Sequence, residues 1–451
     1  MDSLSCQHVG ISVQIRNMPE PQRLLAHRIR IYPTAEQALL LLQIFGCCRF
    51  LHNLALEQRQ MFGRRGRSIT FRSWSDELKA LKAEAPFLRD APHHCLLQAL
   101  KDLDAAYARF FTGEAGYPKP WKKFQSDSCR FPDPKQFSLT RISIKLPKLG
   151  VVKAKIHRPI LGDLRSITIN REGGHWYASV LTRVQAMAAP ARPMLEGGYD
   201  VGVKQAVVES DGTVHAMPVI SDRERERKKR LQQAMARRKK GSARRARART
   251  ALRALEARMA RRRRAAAHRI SSRLVDKYSH LACEDLKLRN MTASARGTAA
   301  EPGRRVAQKA GLNRSILEVA PGMIRRMVAY KAAWRGTTFV AVNPWRTSQI
   351  CSECERHPAD APETAHLRQG RISRDRFVCP LCGYAADADH NAARNIRARG
   401  RLHWSAKPND TVGPTATDRG AFCMDERVSV RPEHGREAVR KIPRHAALRA
   451  A

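Results

Sequence analysis

Two Cys-x-x-Cys pairs in the last quarter of the chain limit its fold more than any other feature. Cys351 and Cys354 form the first pair, Cys379 and Cys382 form the second, and 24 residues lie between them. Paired thiolates with two-residue gaps are typical of a closed structural Zn²⁺ site, in which four sulfurs surround the metal. The sequence therefore predicts a zinc knuckle here. A set of buried thiols without metal is the weaker alternative.

The other cysteines carry no such spacing. The chain contains 11 cysteines, an odd number, which fits a reducing compartment better than a disulfide framework. His357 lies in the long polar loop between the two pairs, and we expect an exposed loop residue there because four cysteines already complete a site. The remaining thiols are expected to be small buried hydrophobes or incidental: Cys6, Cys47, Cys48, Cys95, Cys129, Cys283 and Cys423.

Charge is the second constraint. The 451 residues include 84 Lys and Arg against 41 Asp and Glu, a net charge of +43 at pH 7. So large an excess indicates a polyanionic partner, and nucleic acid is the strongest candidate. We see neither a signal peptide in residues 1–16 nor a stretch of roughly 20 apolar residues that could span a bilayer. We therefore expect a cytoplasmic protein of two or three domains with no membrane partner.

The positive charge is concentrated in residues 223–264, where 20 of 42 residues are Lys or Arg. Residues 222–270 are predicted to be helical, with a break at Gly241 and Ser242. Like charges around much of a helix repel one another unless phosphates neutralise them, which favours a nucleic-acid contact over a solvated face. The residues predicted to make this contact are Arg237, Arg238, Lys239, Lys240, Arg244, Arg245, Arg247 and Arg249.

Three carboxylates, Asp200, Glu284 and Asp389, lie where predicted strands end or helices begin. Carboxylates in apolar strand surroundings repel one another unless a divalent cation lies among them. The set predicts a Mg²⁺ or Mn²⁺ site, and two such ions could activate water and stabilise the leaving oxygen of a phosphodiester. Spacing alone leaves simpler roles open. Asp200 could lie in a turn, Glu284 could be a surface charge, and Asp389 could cap a helix beginning at Asn391.

The order of these motifs resembles TnpB, a nuclease family encoded by insertion sequences and related to type V CRISPR effectors. The resemblance covers roughly residues 27 to 399. It is carried by IRIYPTAEQ, FGCCRFLHNLALEQ, LQALKDLDAAYARFF, GYPKPWKKF, YDVGVKQAVVESDGT, CEDLKLRNM, NPWRTSQICSEC and FVCPLCGYAADADHNAARNI.

The resemblance implies a fold and a set of catalytic residues. The fold is α/β plus α+β: an RNase H-like (RuvC) nuclease core with an inserted zinc ribbon, preceded by a β-barrel wedge domain with a helical recognition insertion. In the family the catalytic carboxylates belong to the core, and they correspond here to Asp200, Glu284 and Asp389. Asp387 lies two residues too early for the family's Asp-x-Asn-Ala-Ala pattern and is left as a supporting residue or a bystander.

The resemblance also implies partners: a guide RNA, a double-stranded DNA target and a short adjacent motif that the protein reads itself. Asn53 and Gln98 are candidates for reading that motif, and we expect one protein monomer on one RNA. The expected organisation is a leader at 1–26, a wedge domain with its helical insertion at 27–185, a linker at 186–193, a nuclease core with Arg-rich helices at 194–346, a zinc ribbon at 347–385, the last catalytic aspartate and helix at 386–406, and a disordered tail at 407–451.

The expected function is therefore that of an RNA-guided DNA endonuclease acting on DNA in a prokaryotic cell. Two alternatives stay open. The first is a catalytically silent RNA-guided DNA-binding regulator, whose usual mark is a lost carboxylate. The second is an RNase H-like transposase that joins DNA strands and also needs three carboxylates.

Overall fold

The seven strands of the first half of the chain form one antiparallel sheet. The computed structural model describes residues 22–63, 69–123, 127–185, 193–355, 371–373 and 375–404. The strands of this sheet are β1 (Gln22–Tyr32), β2 (Ser128–Phe131), β3 (Ser138–Leu139), β4 (Ser143–Leu146), β5 (Gly150–Lys155), β6 (Asp163–Glu172) and β7 (His175–Gln185). Their spatial order is β2-β6-β7-β1-β5-β4-β3. A closed barrel would need β2 and β3, the two ends of this order, to pair with each other. The predicted barrel therefore stays a prediction.

Three helices are inserted between β1 and β2: α1 (Ala35–Gly63), α2 (Phe71–Glu84) and α3 (His93–Phe111). The sequence predicts Thr34, which lies between Pro33 and Glu36, as a helix cap, and its Oγ1 accepts from the N–H of Gln37 at 3.2 Å at the start of α1. The Gln37 side chain in turn accepts from the N–H of Thr34 at 3.1 Å, which completes a capping box. The apolar faces of these helices share one core with the sheet.

Helix α1 corrects one expectation from the sequence. By length and apolar composition it could cross a membrane, although no such stretch was expected. Half of its apolar window is buried inside the protein. Leu41, Ile44 and Leu51 belong to the same core as Leu96 and Leu100 of α3. The contacts of α1 are therefore those of a core helix.

The second half of the chain is built on a mixed five-stranded sheet. Its strands are β8 (Glu196–Asp200), β9 (Val207–Glu209), β10 (Val214–His215), β11 (His280–Glu284) and β12 (Thr338–Val342). The order is β10-β9-β8-β11-β12, with the first three strands antiparallel and β11 parallel to both β8 and β12. The pair Asp211 and Gly212 predicts a hairpin turn, and it joins β9 to β10, where Gly212 adopts a φ of +89° and Asp211 accepts from the N–H of Thr213.

Six helices accompany this sheet in the described residues: α4 (Asp222–Arg237), α5 (Ala243–Lys277), α6 (Leu288–Met291), α7 (Val306–Val319), α8 (Pro321–Arg335) and α9 (Ala388–Trp404). The predicted break between α4 and α5 is confirmed, and Ser242 caps α5 by accepting from the N–H of Arg245. Apolar residues at helical spacing in α5 predict one buried face, and Leu255, Met259, Ala266, Ile270 and Leu274 are buried there. Ile270 and Leu274 pack there with Ile324 and Val328 of α8.

Apolar spacing predicts one helix over residues 316–334, and the structure has two. Helix α7 ends at Val319, Ala320 takes a left-handed conformation with φ +56°, and α8 begins at Pro321. A proline has no N–H and disfavours a helical residue before it, so it can open α8 but cannot continue α7. The break places the start of α8 beside the end of β11, where Leu288 lies within 2.9 Å of a Cβ built on Gly322.

Helix α9 lies directly on the sheet because small residues line the contact. Ala392, Ala393 and Ile396 are buried on the α9 side. On β8, a Cβ added to Gly198 would lie 2.4 Å from the carbonyl oxygen of Ala393 and 2.4 Å from the backbone nitrogen of Arg397. The glycine therefore sets how closely the helix approaches the strand that ends in Asp200.

We expect Gly198→Ala to lower the free energy of unfolding by about 1–3 kcal/mol, because the added methyl group must push α9 away from β8. Gly311→Ala is the matched control: it lies in α7 with nothing within 4 Å of the added Cβ, and alanine favours a helix by about 1 kcal/mol. Urea unfolding of both variants measures the difference. Equal stability of the two variants would contradict this account of the helix–strand contact.

Candidate functional site

The four predicted zinc ligands come together in one cluster. The Sγ atoms of Cys351 and Cys382 lie 3.6 Å apart, and those of Cys354 and Cys379 lie 3.7 Å apart. All four ligand atoms lie within 4.8 Å of one another. Tetrahedral coordination at a Zn–S distance of about 2.3 Å requires sulfurs roughly 3.8 Å apart, so the cluster fits a zinc ion.

The first cysteine pair follows a turn after β12. The second pair lies in the turn of a short hairpin, between β13 (Arg376–Val378) and its partner β14 (Ala385–Asp387). Burial raises the pKa of the Cys351 thiol to about 12, and burial also raises that of Cys379. Neutral thiols are poor ligands, so binding of zinc here would release protons. His357, Cys6 and Cys423 lie outside the described residues, whereas the other unpaired cysteines are buried as expected.

The hairpin ends in Asp387, which caps α9. Its Oδ1 accepts from the N–H groups of Asp389 at 2.9 Å and His390 at 3.2 Å. The expectation that this helix begins at Asn391 was wrong, because Asp387 satisfies the first free N–H groups and the helix begins at Ala388. Asp387 therefore caps α9, a role that the sequence alone also allowed for Asp389. Asp389 itself lies in the first turn of the helix.

Asp200, Glu284 and Asp389 are brought to one edge of the sheet. Asp200 and Glu284 are the last residues of the adjacent parallel strands β8 and β11. Asp389 reaches this edge from α9: its Oδ2 would lie 3.0 Å from a Cβ built on Gly202, two residues beyond Asp200. Among the described residues, only the cysteine cluster brings all of its ligand atoms within 4.8 Å. A single ion contacting all three carboxylates would draw them closer together.

The electrostatics of this edge are unfavourable without a cation. Burial, followed by the charges of Glu284 and Asp389, raises the pKa of Asp200 to about 8. Burial also raises the pKa of Glu284, against the hydrogen bond from Thr347 and the charge of Arg399, and Asp389 raises it further. Oxygen ligands and an excess of negative charge are what Mg²⁺ and Mn²⁺ require, so the residues present fit such an ion.

Arg371 is a part of the site that inspection of the sequence missed. Its Nη2 lies 3.5 Å from Oδ1 of Asp389, and its charge lowers the pKa of Asp200 against the larger effects that raise it. It precedes β13 and pairs with Phe377 in an isolated β-bridge. The zinc knuckle therefore contributes a cation to the carboxylate edge. No spacing rule connects an arginine in the loop between two cysteine pairs to carboxylates on other strands.

Two asparagines of α9 hold the knuckle and the carboxylate edge together, and they were also missed. Asn391 donates to the carbonyl of Ile350 at 2.8 Å and accepts from the N–H of Ser352 at 3.0 Å. Asn395, one helical turn later, donates to the carbonyls of Thr347 at 2.8 Å and Ile350 at 2.7 Å. The Thr347 hydroxyl donates to Glu284. The Asn-x-x-x-Asn spacing was visible in the sequence, since residues four apart share a helix face.

The predicted nucleic-acid contacts lie at the junction of α4 and α5. Arg237, Lys239, Lys240, Arg244, Arg247 and Arg249 are exposed there. Arg238 and Arg245 already serve the junction: Arg238 donates to the carbonyl of Arg244 at 2.6 Å, and Arg245 donates to those of Met235 at 2.6 Å and Arg238 at 2.9 Å. Binding of a phosphate by these two side chains would compete with the closure of the junction.

The candidates for motif reading lie in the helical insertion, and both have partners inside the protein. Asn53 donates to the carbonyl of Trp121 at 3.0 Å and accepts from its N–H at 2.8 Å. Gln98 donates to Asp102 at 2.8 Å. Asn53 therefore anchors a loop to α1, and a role in reading DNA would require these bonds to open.

Three family models match parts of the chain. "Cas12f1-like, TNB domain" matches residues 322–396, "Helix-turn-helix domain" matches residues 18–66, and "Probable transposase" matches residues 179–295. The first match spans β12, the cysteine cluster and the start of α9. Where the structure describes residues 18–66, they form the strand β1 and the single helix α1.

Similar proteins extend over most of the chain. "Putative RNA-guided DNA endonuclease InsQ" of Escherichia coli (strain K12) is 35% identical over 385 residues, or 84% of this chain and 93% of the relative. "Putative RNA-guided DNA endonuclease" of Streptomyces pristinaespiralis is 30% identical over 384 residues, 83% of this chain and 89% of the relative. The solved "Cryo-EM structure of the Cas12f1-sgRNA-target DNA complex" covers 84% of this chain and 99% of its own, at 14% identity and a TM-score of 0.48. This last likeness is weak.

The cysteine cluster predicts a specific metal content. We expect the purified protein to contain about one zinc ion per chain and Cys379→Ser to lose most of it, since three thiolates no longer close the site. Loss of zinc should also lower the melting temperature by roughly 5 °C, because the knuckle is packed against α9. Elemental analysis and thermal unfolding measure both effects. Cys129→Ala, which removes a buried thiol outside the cluster, should leave the zinc content unchanged.

The raised pKa of Asp200 predicts a pH dependence of stability in buffer without divalent ions. An aspartate in the unfolded chain titrates near pH 4, whereas Asp200 in the folded protein holds its proton up to a pKa of about 8. The unfolded chain therefore binds fewer protons between these values, and stability should fall as the pH rises from about 4 to about 8.

Asp200→Asn should reduce this slope, because the amide does not titrate. Asp222→Asn is the control, since that side chain is 98% exposed and its charge is solvated in both states. Urea unfolding at several pH values measures the slope for each protein. A slope in Asp200→Asn as steep as in the unmodified protein would contradict the assignment of the shift to this carboxyl group.

Proposed function

The chain belongs to the TnpB family, and on that basis we propose that it is an RNA-guided DNA endonuclease. Its partners in this proposal are a guide RNA, which specifies the target by base pairing, and double-stranded DNA carrying a short adjacent motif. The chemistry is metal-dependent hydrolysis of a phosphodiester, with Asp200, Glu284 and Asp389 as the catalytic carboxylates. One monomer acts on one RNA.

The observation that carries this proposal is the convergence of three carboxylates from distant parts of the chain. Asp200, Glu284 and Asp389 meet at one sheet edge, and the pKa of Asp200 rises to about 8 through burial and the charges of the other two. Such a concentration of negative charge destabilises a protein unless a cation binds there. Perturbed carboxyl groups of this kind cluster at functional sites.

The topology supports the assignment of a RuvC-like core. A sheet with three antiparallel strands followed by two strands parallel to the first, in the order β10-β9-β8-β11-β12, matches the expected RNase H-like arrangement. Asp200 and Glu284 end its two central strands, and the cysteine cluster lies between its last strand, β12, and the helix α9 that carries Asp389. The zinc ribbon is in this proposal an insertion that positions the third carboxylate.

Each residue of the site has a distinct part in the proposed reaction. Asp200, Glu284 and Asp389 would hold Mg²⁺ or Mn²⁺, which when bound supplies an activated water and stabilises charge on the leaving oxygen. Arg371 adds a positive charge beside Asp389, where a phosphate group must approach three negative side chains. Thr347 fixes the orientation of the Glu284 carboxylate by donating to it.

The Arg-rich helices provide the surface for the nucleic acid. Along the length of α4 and α5, away from their junction, Glu224 pairs with Arg262 at 2.6 Å and Glu256 pairs with Lys228 at 3.2 Å. These ion pairs fasten α4 to α5, and the exposed side chains of Arg237, Lys239, Lys240, Arg244 and Arg247 are those that we assign to phosphates. A heteroduplex of guide RNA and target DNA is the ligand that we assign to this surface.

The decisive comparison is between two aspartates that lie two residues apart. In protein purified with its RNA, Asp389→Asn should lower the rate of target cleavage roughly a hundredfold or more, because it removes a charge from the proposed metal site. Asp387→Asn should cleave within about threefold of the unmodified protein, because asparagine caps a helix about as well as aspartate. Both variants should bind target DNA equally well in a gel-shift assay.

The substrate for this test follows from sequencing the RNA that co-purifies with the protein. A plasmid library with randomised flanks beside the guide-matched sequence then supplies the adjacent motif. Binding without cleavage by the unmodified protein would instead support the silent regulator. Strand-transfer products formed from element-end DNA without RNA would support the transposase.

A further inference from the structure

An exposed tryptophan lies at the rim of the carboxylate edge. Trp345 follows the end of β12, and 60% of its surface is exposed to solvent. Two aromatic residues of the N-terminal half, Tyr117 and Trp121, also lie among basic residues in the sequence, but both have partners inside the protein. Tyr117 bonds Tyr107 through their hydroxyl groups at 2.8 Å, and Trp121 stacks on His52 at 4.0 Å between ring centroids. Trp345 has a different environment, at the end of a strand of the nuclease sheet.

The turn that carries Trp345 is fixed to α9 at both ends. Arg399 donates to the carbonyl of Asn343 at 2.6 Å, and Asn395 donates to the carbonyl of Thr347 at 2.8 Å. Within the turn, the N–H of Trp345 donates to the Asn343 side chain at 3.0 Å. Because the backbone of this turn is held at both ends, binding of a ligand at Trp345 would cost little backbone entropy.

Arg346 completes a preformed platform. Its φ of +55° is left-handed, a conformation that costs energy in a residue with a side chain and persists only where the surroundings impose it. The guanidinium carbon of Arg346 lies over the Trp345 ring, 4.3 Å from its centroid, so it covers one face and a base would stack on the other. An aromatic face joined to a positive charge is the combination that holds a nucleobase and its phosphate in proteins that bind single strands.

The platform lies close to the proposed chemistry. Thr347 is two residues beyond Trp345, so their Cα atoms are at most about 7 Å apart. The Thr347 hydroxyl donates to Glu284, which pairs with Val342 in the β11–β12 register. A strand whose phosphate approaches Glu284 would therefore pass a neighbouring base over Trp345.

We propose that Trp345 is a stacking site for a nucleobase of the single DNA strand that enters the carboxylate site. This inference rests on the proposed endonuclease function and adds a positioning residue to it. Stacking on an aromatic face tolerates every base, so the site orients the strand without reading its sequence. The same chemistry could be offered by an unpaired base of the guide RNA, and the test below separates the two sources.

Kinetics with matched substitutions test the positioning role. In protein loaded with its RNA, Trp345→Leu keeps an apolar side chain but removes the aromatic face, and we expect the KM for target DNA to rise about tenfold with kcat within about threefold. Trp345→Phe should restore KM to within about twofold of the unmodified protein. A KM for Trp345→Leu equal to that of Trp345→Phe would overturn the proposal, whereas absence of cleavage by the unmodified protein would count against the endonuclease function itself.

Fluorescence gives a readout that does not depend on cleavage. In the Asp389→Asn background, a single-stranded DNA oligonucleotide should quench tryptophan emission of the RNA-loaded protein, and the Trp345→Phe double variant should lose most of that quenching. Equal quenching in both proteins would overturn the proposal. If the quenching difference appears on loading of the RNA alone and DNA adds nothing, the base comes from the guide and the assignment to the DNA strand is wrong.

Discussion

The hydrogen bonds that Asn391 and Asn395 make from α9 to the turn before the first cysteine pair hold the site together. They satisfy the carbonyls of Thr347 and Ile350, which lie between the end of β12 and Cys351. Both amide side chains are buried, so each bond left unmade would cost about 1–3 kcal/mol. Through these bonds the zinc knuckle, the helix that carries Asp389 and the threonine that orients Glu284 form one unit.

This unit explains why the cysteine cluster lies next to the three carboxylates. Three carboxylates at one sheet edge repel one another, and burial of Asp200, together with the charges of Glu284 and Asp389, raises its pKa to about 8. A flexible backbone would relieve the repulsion by moving the side chains apart. Gly198 allows α9 to lie on β8, Asp387 fixes its first turn, and the knuckle brings Arg371 to within 3.5 Å of Asp389. In the proposed enzyme, the cysteine cluster would therefore affect the chemistry by positioning Asp389 and by adding the charge of Arg371.

Much of this architecture could be predicted from the sequence, and the successes have local causes. The cysteine spacing, the cap at Thr34, the break at Gly241 and Ser242, and the hairpin turn at Gly212 each depend on a few neighbouring residues with strong conformational preferences. The prediction of one helix over residues 316–334 was wrong for the opposite reason. Apolar spacing continued through Pro321, and the pattern outweighed the one residue that cannot continue a helix.

The parts of the site that escaped prediction are those that depend on contacts across the chain. Nothing local in Arg371 or Thr347 indicates that each reaches a carboxylate on another element. Asn391 and Asn395 were within a recognised motif, yet their bonds to the turn at Ile350 become visible only when the knuckle is folded against α9. The capping role shows the same limit, since Asp387 and Asp389 are equally good caps and only the start of the helix decides between them.

The distribution of charge links the two surfaces that the proposed reaction uses, the Arg-rich helices and the edge of the sheet that carries the three carboxylates. Repulsion among the arginines of α4 and α5 is relieved inside the protein by few acids, such as Glu224 and Glu256, so the exposed junction is most stable with phosphates bound. The carboxylate edge has the reverse requirement and is most stable with cations bound. A nucleic acid carries phosphates to the first surface and attracts divalent ions that the second requires. In the proposed reaction, nucleic acid bound along the Arg-rich helices would therefore increase the local supply of both substrate and metal at the three carboxylates, which repel one another without a cation.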